Sequence, residues 1–113
     1  MAFRQEGVSQ GEEMKKPPKS KLTEADITRQ IRQYLNILGI WHWKVWQGPM
    51  SRPKGVADII GILDGRFLAI EVKRPGAKLT EDQAIFLQKV RNNGGIGIVA
   101  RDVSDVMGLM KSK

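Results

Sequence analysis

Between residues 24 and 38, apolar side chains recur every three or four positions, which predicts an amphipathic helix. The apolar stripe consists of Ile27, Ile31, Tyr34, Leu35 and Leu38. Thr23 and Asp26 stand at the spacing of a capping box, so we expect the helix to begin directly after Thr23. Gly39 favours its end, because glycine adopts a positive φ angle readily. Glu24 lies in the first turn, at the edge of the apolar stripe.

Strands are predicted where β-branched and aromatic residues cluster. Four segments have this composition: residues 40–46, 56–63, 66–73 and 96–100. The second and third are joined by Asp64-Gly65, and an Asp-Gly pair between two apolar runs is a strong signal for a tight β-hairpin. The glycines and prolines of residues 47–55 predict a loop before this hairpin.

Two further helices are predicted in the second half of the chain. Thr80 and Gln83 form another capping-box pattern, ahead of a helix that reaches residue 92. The last helix covers residues 103–110. The order α-β-β-β-α-β-α contains one strand–helix–strand step, which predicts a parallel pair of strands. We therefore expect an α/β fold in which a small mixed sheet is flanked by helices on both faces.

The Asp64-Gly65 turn determines which residues of the hairpin face each other. Counted outward from a two-residue turn, Asp58 faces Glu71. Side chains alternate between the faces of a strand, so the two carboxylates lie side by side, with Lys73 about 7 Å further along the same face. The remaining strand residues are mostly apolar, which predicts that helices cover both faces.

Neighbouring carboxylates repel each other unless they share a proton or a cation lies nearby. Lys73 can help, but a divalent cation that bridges Asp58 and Glu71 is the simplest solution. Ligation by oxygen alone favours Mg²⁺ or Mn²⁺ over zinc. Taken singly, Asp58 could instead accept hydrogen bonds from turn amides, and Glu71 and Lys73 could form a solvated ion pair. Their combination on apolar strands favours the metal site.

Composition narrows the classes of function. The chain has 113 residues, enough for one domain, and 41% hydrophobic and 27% charged residues are typical of a globular fold. The absence of cysteine excludes disulfides, thiolate zinc sites and cysteine nucleophiles, and the single histidine excludes a histidine cluster. No apolar run reaches the ~20 residues of a membrane span, and no signal peptide is evident. We therefore expect a soluble intracellular protein that makes no membrane contact.

The formal net charge of +7 favours a polyanionic partner such as nucleic acid. Residues 1–21 lack apolar periodicity and predict a flexible basic arm, while residues 22–113 predict the folded domain. Four basic residues fall in the two loops that flank the carboxylate end of the hairpin: Arg52, Lys54, Arg74 and Lys78. We expect at least two of them to contact phosphates, which positions a duplex without reading its base sequence.

The order of the charged residues resembles the PD-(D/E)xK nuclease superfamily: Asp58, then Glu71-Val72-Lys73 on the next strand, then Gln83 on the following helix. The segment GVADIIGILDGRFLAIEVKRPGAKLTEDQAIFLQKV is similar to the VRR-NUC branch, which occurs in phage and in DNA-repair nucleases. The similarity covers residues 22–110 and has alanine where the superfamily name has proline. It implies a restriction-endonuclease-like αβββαβ core.

The resemblance also implies a role for each matching residue. Asp58 and Glu71 would bind Mg²⁺ or Mn²⁺, together with the backbone carbonyl of Val72. Lys73 would position or activate the attacking water and offset charge on the phosphate. The resemblance therefore makes the carboxylate end of the hairpin a catalytic centre.

Two further residues carry an implied role beside a plainer explanation. Glu24 would hold a water molecule bound to the metal, although acidic residues are favoured in a first helical turn in any case. Gln83 would orient Lys73 or that water, although the capping box explains it as simply.

The tryptophans of the first predicted strand, Trp41, Trp43 and Trp46, have two explanations. They could stack on unpaired bases, but aromatic residues in strands more often pack in a core or across strands. We expect packing, and no catalytic part for His42.

The resemblance implies a Mg²⁺- or Mn²⁺-dependent, structure-specific DNA endonuclease. Stand-alone domains similar to this one act as homodimers on branched DNA, which implies a Holliday-junction-resolvase-like activity in the bacterial cytoplasm and a phage origin. Two alternatives remain open: a flap or single-strand-specific nuclease, and a catalytically silent DNA-binding subunit with the same fold.

Overall fold

The computed structural model describes residues 21–46 and 54–111, so residues 1–20 of the predicted arm and 47–53 of the predicted loop lie outside it. Seven elements follow in the predicted order: α1 (Glu24–Ile37), β1 (His42–Lys44), β2 (Ile59–Leu63), β3 (Arg66–Val72), α2 (Glu81–Asn92), β4 (Ile96–Ala100) and α3 (Val103–Lys111). The strands form one sheet in the order β1-β2-β3-β4, antiparallel except for the parallel pair β3–β4. The predicted α/β fold with a small mixed sheet is confirmed.

Both ends of α1 are fixed by the residues that the sequence indicated. The hydroxyl of Thr23 accepts the Asp26 N–H at 3.0 Å, and the Asp26 carboxylate accepts the Thr23 N–H at 2.9 Å. At the other end Gly39 has a φ of +73°, and the N–H of Ile40 turns back to the carbonyl of Leu35. The helix is therefore capped as predicted.

The capping box gives the fold a pH-dependent contribution. The hydrogen bond from the Thr23 N–H and that from the Arg29 guanidinium lower the pKa of Asp26 to about 2. An unfolded aspartate titrates near ~3.9, so the charged form stabilises the fold above that pH, and the contribution is lost as the pH falls through about 2. We expect Asp26→Asn to melt at a lower temperature than wild type at neutral pH, with the deficit vanishing in strong acid. Melting curves that stay equally far apart at every pH would contradict this.

The sheet separates two apolar clusters. On one face, α1 and α3 cover the odd-numbered side chains of β2 together with Leu68, Ile70 and Val72 of β3. On the other face, Leu87 of α2 packs with Ile60 and Ala69. The alternation follows from the hairpin register, which pairs Ile60 with Ala69, as counting outward from the two-residue turn requires. Within the described residues, no helix is both long and apolar enough to cross a lipid bilayer.

The hairpin turn has the geometry that fixes this register. Asp64 and Gly65 have φ angles of +53° and +76°. Two successive positive φ angles characterise a type I′ turn, whose twist matches that of the flanking strands. The predicted two-residue hairpin is confirmed.

The first predicted strand is shorter than expected, and its aromatic residues are not buried. Of residues 40–46, only His42–Lys44 form β1, because the N–H of Ile40 is bonded to the end of α1. Trp41, Trp43 and Trp46 are 68%, 42% and 69% exposed, so of the two kinds of packing that we expected, packing in the core is wrong. The physical reason is that β1 is an edge strand and α2 packs on β3 and β4.

Candidate active site

Asp58 lies directly before β2, and two neighbouring strands hold it in place. Its Oδ2 atom accepts the N–H of Val72 at 2.8 Å, and its main-chain carbonyl accepts the N–H of Val45 at 2.8 Å. If β2 were longer, one of its main-chain carbonyls would accept the N–H of Val72. The carboxylate of Asp58 takes the place of that carbonyl. For this reason β2 begins at Ile59 and not at residue 56, which corrects the predicted boundary.

Glu71 lies on β3, one residue before the amide that Asp58 binds. Continued by one residue, the pairing of Ile59 with Ile70 places Asp58 opposite Glu71. Glu71 is only 3% exposed. Its Oε1 atom is buried without a hydrogen-bond donor among the described residues, although Glu71 interacts elsewhere. The structure therefore brings two acidic residues, one of them buried, to the same end of the hairpin.

Lys73 follows β3 in continuous strand geometry. Its N–H donates to the carbonyl of Ala100 at 3.1 Å, so the backbone stays beside β4 to this point. Because side chains alternate along a strand, Lys73 shares a face with Glu71. The half-buried lysine thus adds a positive charge at the acidic end of the hairpin.

The donor set at this end fits a hydrated divalent cation. Among residues 21–46 and 54–111, no three His, Cys, Asp or Glu side chains come together as a metal-binding group. Mg²⁺ does not need such a group, since it keeps several waters and binds through one or two carboxylates and substrate phosphates. The N–H and C=O of a strand residue point to the same side, so the carbonyl of Val72 is directed towards Asp58. Zinc prefers nitrogen and sulfur ligands and does not suit these residues.

Glu24 and Gln83 occupy first turns of helices, as predicted. Glu24 is exposed, at the start of a helix that packs on the sheet face opposite Glu71. The side-chain carbonyl of Gln83 accepts the N–H of Thr80 at 2.9 Å, which completes a capping box. The structure thus shows the capping role of Gln83, while the roles of both residues beside a metal stay predictions.

Three of the four predicted phosphate-binding cations lie in described segments, whereas Arg52 lies outside them. Lys54, Arg74 and Lys78 are exposed. Lys54 precedes the glycine that packs on the first turn of α2, and Lys78 lies two residues before its cap. The two lysines therefore lie at the same end of α2, near the carboxylate end of the hairpin.

Comparison with known protein families matches residues 10–103 to the VRR-NUC domain. The chain belongs to the VRR-NUC family. A solved structure described as a VRR_NUC domain has the same fold, with a TM-score of 0.64 and 22% sequence identity. The alignment covers 78% of this chain and 94% of that one. A search among proteins of curated function finds no match. The family match and the solved structure together show that the chain has the fold of VRR-NUC nucleases.

Two residues that the sequence analysis missed fix loops beside the acidic end of this VRR-NUC domain. Arg101, directly after β4, donates from Nη1 to the carbonyls of Arg74 at 2.8 Å and Ala77 at 2.6 Å. These carbonyls belong to the turn that follows Lys73, in which Gly76 has a φ of +85°. An arginine after a strand carries no sequence signal for such a contact, because its partners are main-chain atoms of a distant loop.

The second missed residue of the VRR-NUC domain is Gly55, which has a φ of +82°. A Cβ atom at this position would lie 2.3 Å from the carbonyl oxygen of Asp82 and 2.9 Å from the nitrogen of Gln83. The segment before Asp58 therefore rests directly on the backbone of α2. The only sequence signal was a glycine in a predicted loop, which did not indicate what it contacts.

The contact of Arg101 predicts a local effect. We expect Arg101→Met to lower the free energy of unfolding by about 1–3 kcal/mol, and to accelerate hydrogen exchange at the N–H of Ala77, which donates to the carbonyl of Arg74. Arg91→Met is a matched control, because Arg91 donates to the carbonyl of Gly97 and not to this turn. Equal exchange rates at Ala77 in both variants would contradict the role assigned to Arg101.

Proposed function

We propose that this VRR-NUC domain is a nuclease that hydrolyses phosphodiester bonds in DNA with the help of Mg²⁺ or Mn²⁺. The observation that carries the proposal is the juxtaposition of Asp58 and the buried Glu71 at one end of the central hairpin. Two acidic residues placed in this way repel each other, and a bound divalent cation relieves that repulsion more simply than a shared proton, while a lysine follows on the same face. Exposed basic residues on the adjoining loops supply the attraction for a phosphate backbone.

Each residue of the site has a task in this reaction. Asp58, Glu71 and the carbonyl of Val72 would hold the cation, which supplies Lewis acidity towards the phosphoryl oxygen and lowers the pKa of water. Lys73 offsets the negative charge that develops on the phosphate in the transition state. The burial of Glu71 strengthens these electrostatic interactions, because charges interact more strongly away from bulk water.

The finer proposal is cleavage of branched DNA by a homodimer, in the manner of a Holliday-junction resolvase. One observation and one symmetry argument support it. The described residues contain no recognition helix or zinc finger that would read bases in the major groove, so structure is the better basis for selection. A symmetric cut in two strands needs two copies of one such site. A flap or single-strand-specific nuclease is the second candidate, favoured by the exposed tryptophans.

Two measurements test the proposal. The first is incubation of labelled four-way junction, flap and linear DNA with the protein and Mn²⁺, which we expect to yield cleavage of the branched substrates. The second is thermal melting, in which Mn²⁺ should raise the midpoint of wild type, because a ligand that binds only the folded state stabilises it. A domain that binds DNA without cleavage and without a Mn²⁺-dependent shift would be a silent subunit, and the proposal would be wrong.

The phosphate contacts lead to a separate prediction. We expect Lys54→Ala to weaken DNA binding and to reduce the slope of log affinity against log salt by about 0.9, the value for one phosphate contact on duplex DNA. Lys89→Ala serves as the control, since Lys89 is exposed in the last turn of α2, away from the acidic end. Titration of a labelled duplex at several salt concentrations measures both slopes, and identical slopes would argue against a phosphate contact at Lys54.

A further inference from the structure

The face of the sheet that carries α2 has an aromatic surface that none of the described helices covers. Trp41 and Trp43 are 68% and 42% exposed, and their ring centroids lie 4.9 Å apart. Next to Trp41 the surface continues across two more strands through Ile62 and Phe67, which are 40% and 41% exposed. Contiguous exposed apolar surface of this kind marks a binding site on a soluble protein. We call the surface formed by these four residues the aromatic face.

The opposite side of β1 is basic. The side chains of β1 alternate, and His42 faces α1, where the Arg32 guanidinium lies 3.5 Å from its ring nitrogen. Lys44 and Arg32 line a groove of about 370 Å³ between β1 and α1. Among the described residues, neither has a carboxylate partner, whereas the nearby Arg29 is paired with Asp26. A single edge strand therefore separates the aromatic face from a basic groove.

The edge strand leads directly to the acidic end of the hairpin. Lys44 pairs with Ile59, and the next residue, Val45, donates its N–H to the main-chain carbonyl of Asp58 at 2.8 Å. An extended ligand that lies along β1 therefore reaches Asp58. The aromatic face and the basic groove are thus parts of the approach to the proposed reaction site.

We propose that β1 binds a single-stranded segment of DNA, with unpaired bases on Trp41 and Trp43 and with phosphates along Arg32 and Lys44. Aromatic side chains beside basic ones are the combination that binds single strands, because every base has a stacking face and every linkage carries a negative charge. The inference rests on the proposed function and favours its second candidate, a nuclease for flaps or other DNA with unpaired bases next to the cleaved bond, because the bases of an intact four-way junction are all paired.

Charge distinguishes this occupant from a second copy of the chain. A self-complementary contact across β1 would bring the cations Arg32 and Lys44 close to the same residues of the other copy. A polyanion, in contrast, is attracted by Arg32 and Lys44 on the basic side of the strand.

The experiment is a titration of the full chain with a thymidine oligonucleotide and with a blunt duplex of equal length, in EDTA so that no cleavage occurs. Tryptophan fluorescence and the anisotropy of a labelled strand report binding. We expect the oligonucleotide to quench the fluorescence, and Trp41→Ala to weaken its binding at least about tenfold, while duplex affinity changes less than about twofold. Ile37→Ala is the control, since Ile37 is 82% exposed on α1 and outside the aromatic face.

Two outcomes overturn the inference. Unchanged oligonucleotide affinity in Trp41→Ala would show that bases do not stack there. If sedimentation instead shows that Trp41→Ala changes the mass of the particle, the aromatic face joins two copies. Failure of the proposed function appears separately, because binding is measured without metal. Wild type that binds the oligonucleotide through Trp41 but never cleaves DNA with Mn²⁺ would contradict the nuclease and leave the single-strand site standing.

Discussion

Glu71→Gln is expected to reduce the rate of metal-dependent DNA cleavage by at least about 10³-fold. This factor corresponds to the several kcal/mol by which a bound cation stabilises the transition state. The substitution keeps the volume of this buried side chain and removes its charge. DNA binding should stay within about twofold of wild type, because the exposed basic residues that attract phosphate are unchanged. Single-turnover cleavage with Mn²⁺ and anisotropy in EDTA measure the two quantities.

The control for this experiment is Glu81→Gln, which removes the same charge from an exposed position in the first turn of α2. We expect it to cleave at the wild-type rate. The Mn²⁺-dependent rise in melting temperature should also vanish in Glu71→Gln and persist in Glu81→Gln. Cleavage by Glu71→Gln near the wild-type rate would remove the mechanism proposed for this site.

Asp58 requires a more careful choice of substitution than Glu71. Asp58→Ala would abolish cleavage, but it also leaves the N–H of Val72 without its acceptor, at a cost of about 1–3 kcal/mol. Asp58→Asn keeps an oxygen that can accept this hydrogen bond. We expect both variants to be inactive, with the melting temperature reduced mainly in the alanine variant, so that a comparison of the two separates catalysis from folding.

The largest expected effect on stability is at Gly55. An alanine there has to adopt a φ of +82° and places its Cβ atom 2.3 Å from a backbone oxygen of α2. We expect Gly55→Ala to lower the free energy of unfolding by about 2–4 kcal/mol, because backbone strain and displacement of the segment before Asp58 add up.

Gly76→Ala is the matched control for Gly55. Gly76 also has a positive φ, of +85°, but a Cβ atom there would meet nothing within 4 Å. We expect this variant to lose only about 1 kcal/mol, which urea unfolding of the two variants can resolve. Equal losses would show that close packing on α2 adds nothing to the strain of the φ angle.

The hairpin shows how much of the site follows from sequence. The Asp64-Gly65 turn imposes a fixed register, and side chains in a strand alternate strictly, so counting from the turn gave the residue opposite each strand position. The same rule placed Glu71 on one face with Asp58 and Lys73, and the structure shows that α2 covers this face. Such inferences succeed because they depend only on local backbone geometry, as the two capping boxes also do.

Contacts that depend on distant segments did not follow from sequence. The loop contacts of Arg101 and Gly55 involve backbone atoms more than twenty positions away, and main-chain atoms are the same in every residue. The start of β2 was predicted too early for a related reason. The side chain of Asp58, and not a main-chain carbonyl of β2, accepts the N–H of Val72. The exposure of the tryptophans depended on where α2 packs, which aromatic composition does not reveal.

The Asp64-Gly65 turn closes the end of β2 and β3 opposite to Asp58 and Glu71. With five residues in β2 and seven in β3, the turn lies about 17–23 Å away along the strands. Both turn residues are exposed. A fluorescent dye attached at Asp64 would therefore stay clear of the acidic end, but it would lie beside Trp41 and Ile62 of the aromatic face, so that it could report on a strand bound there while the reacting end remains unobstructed.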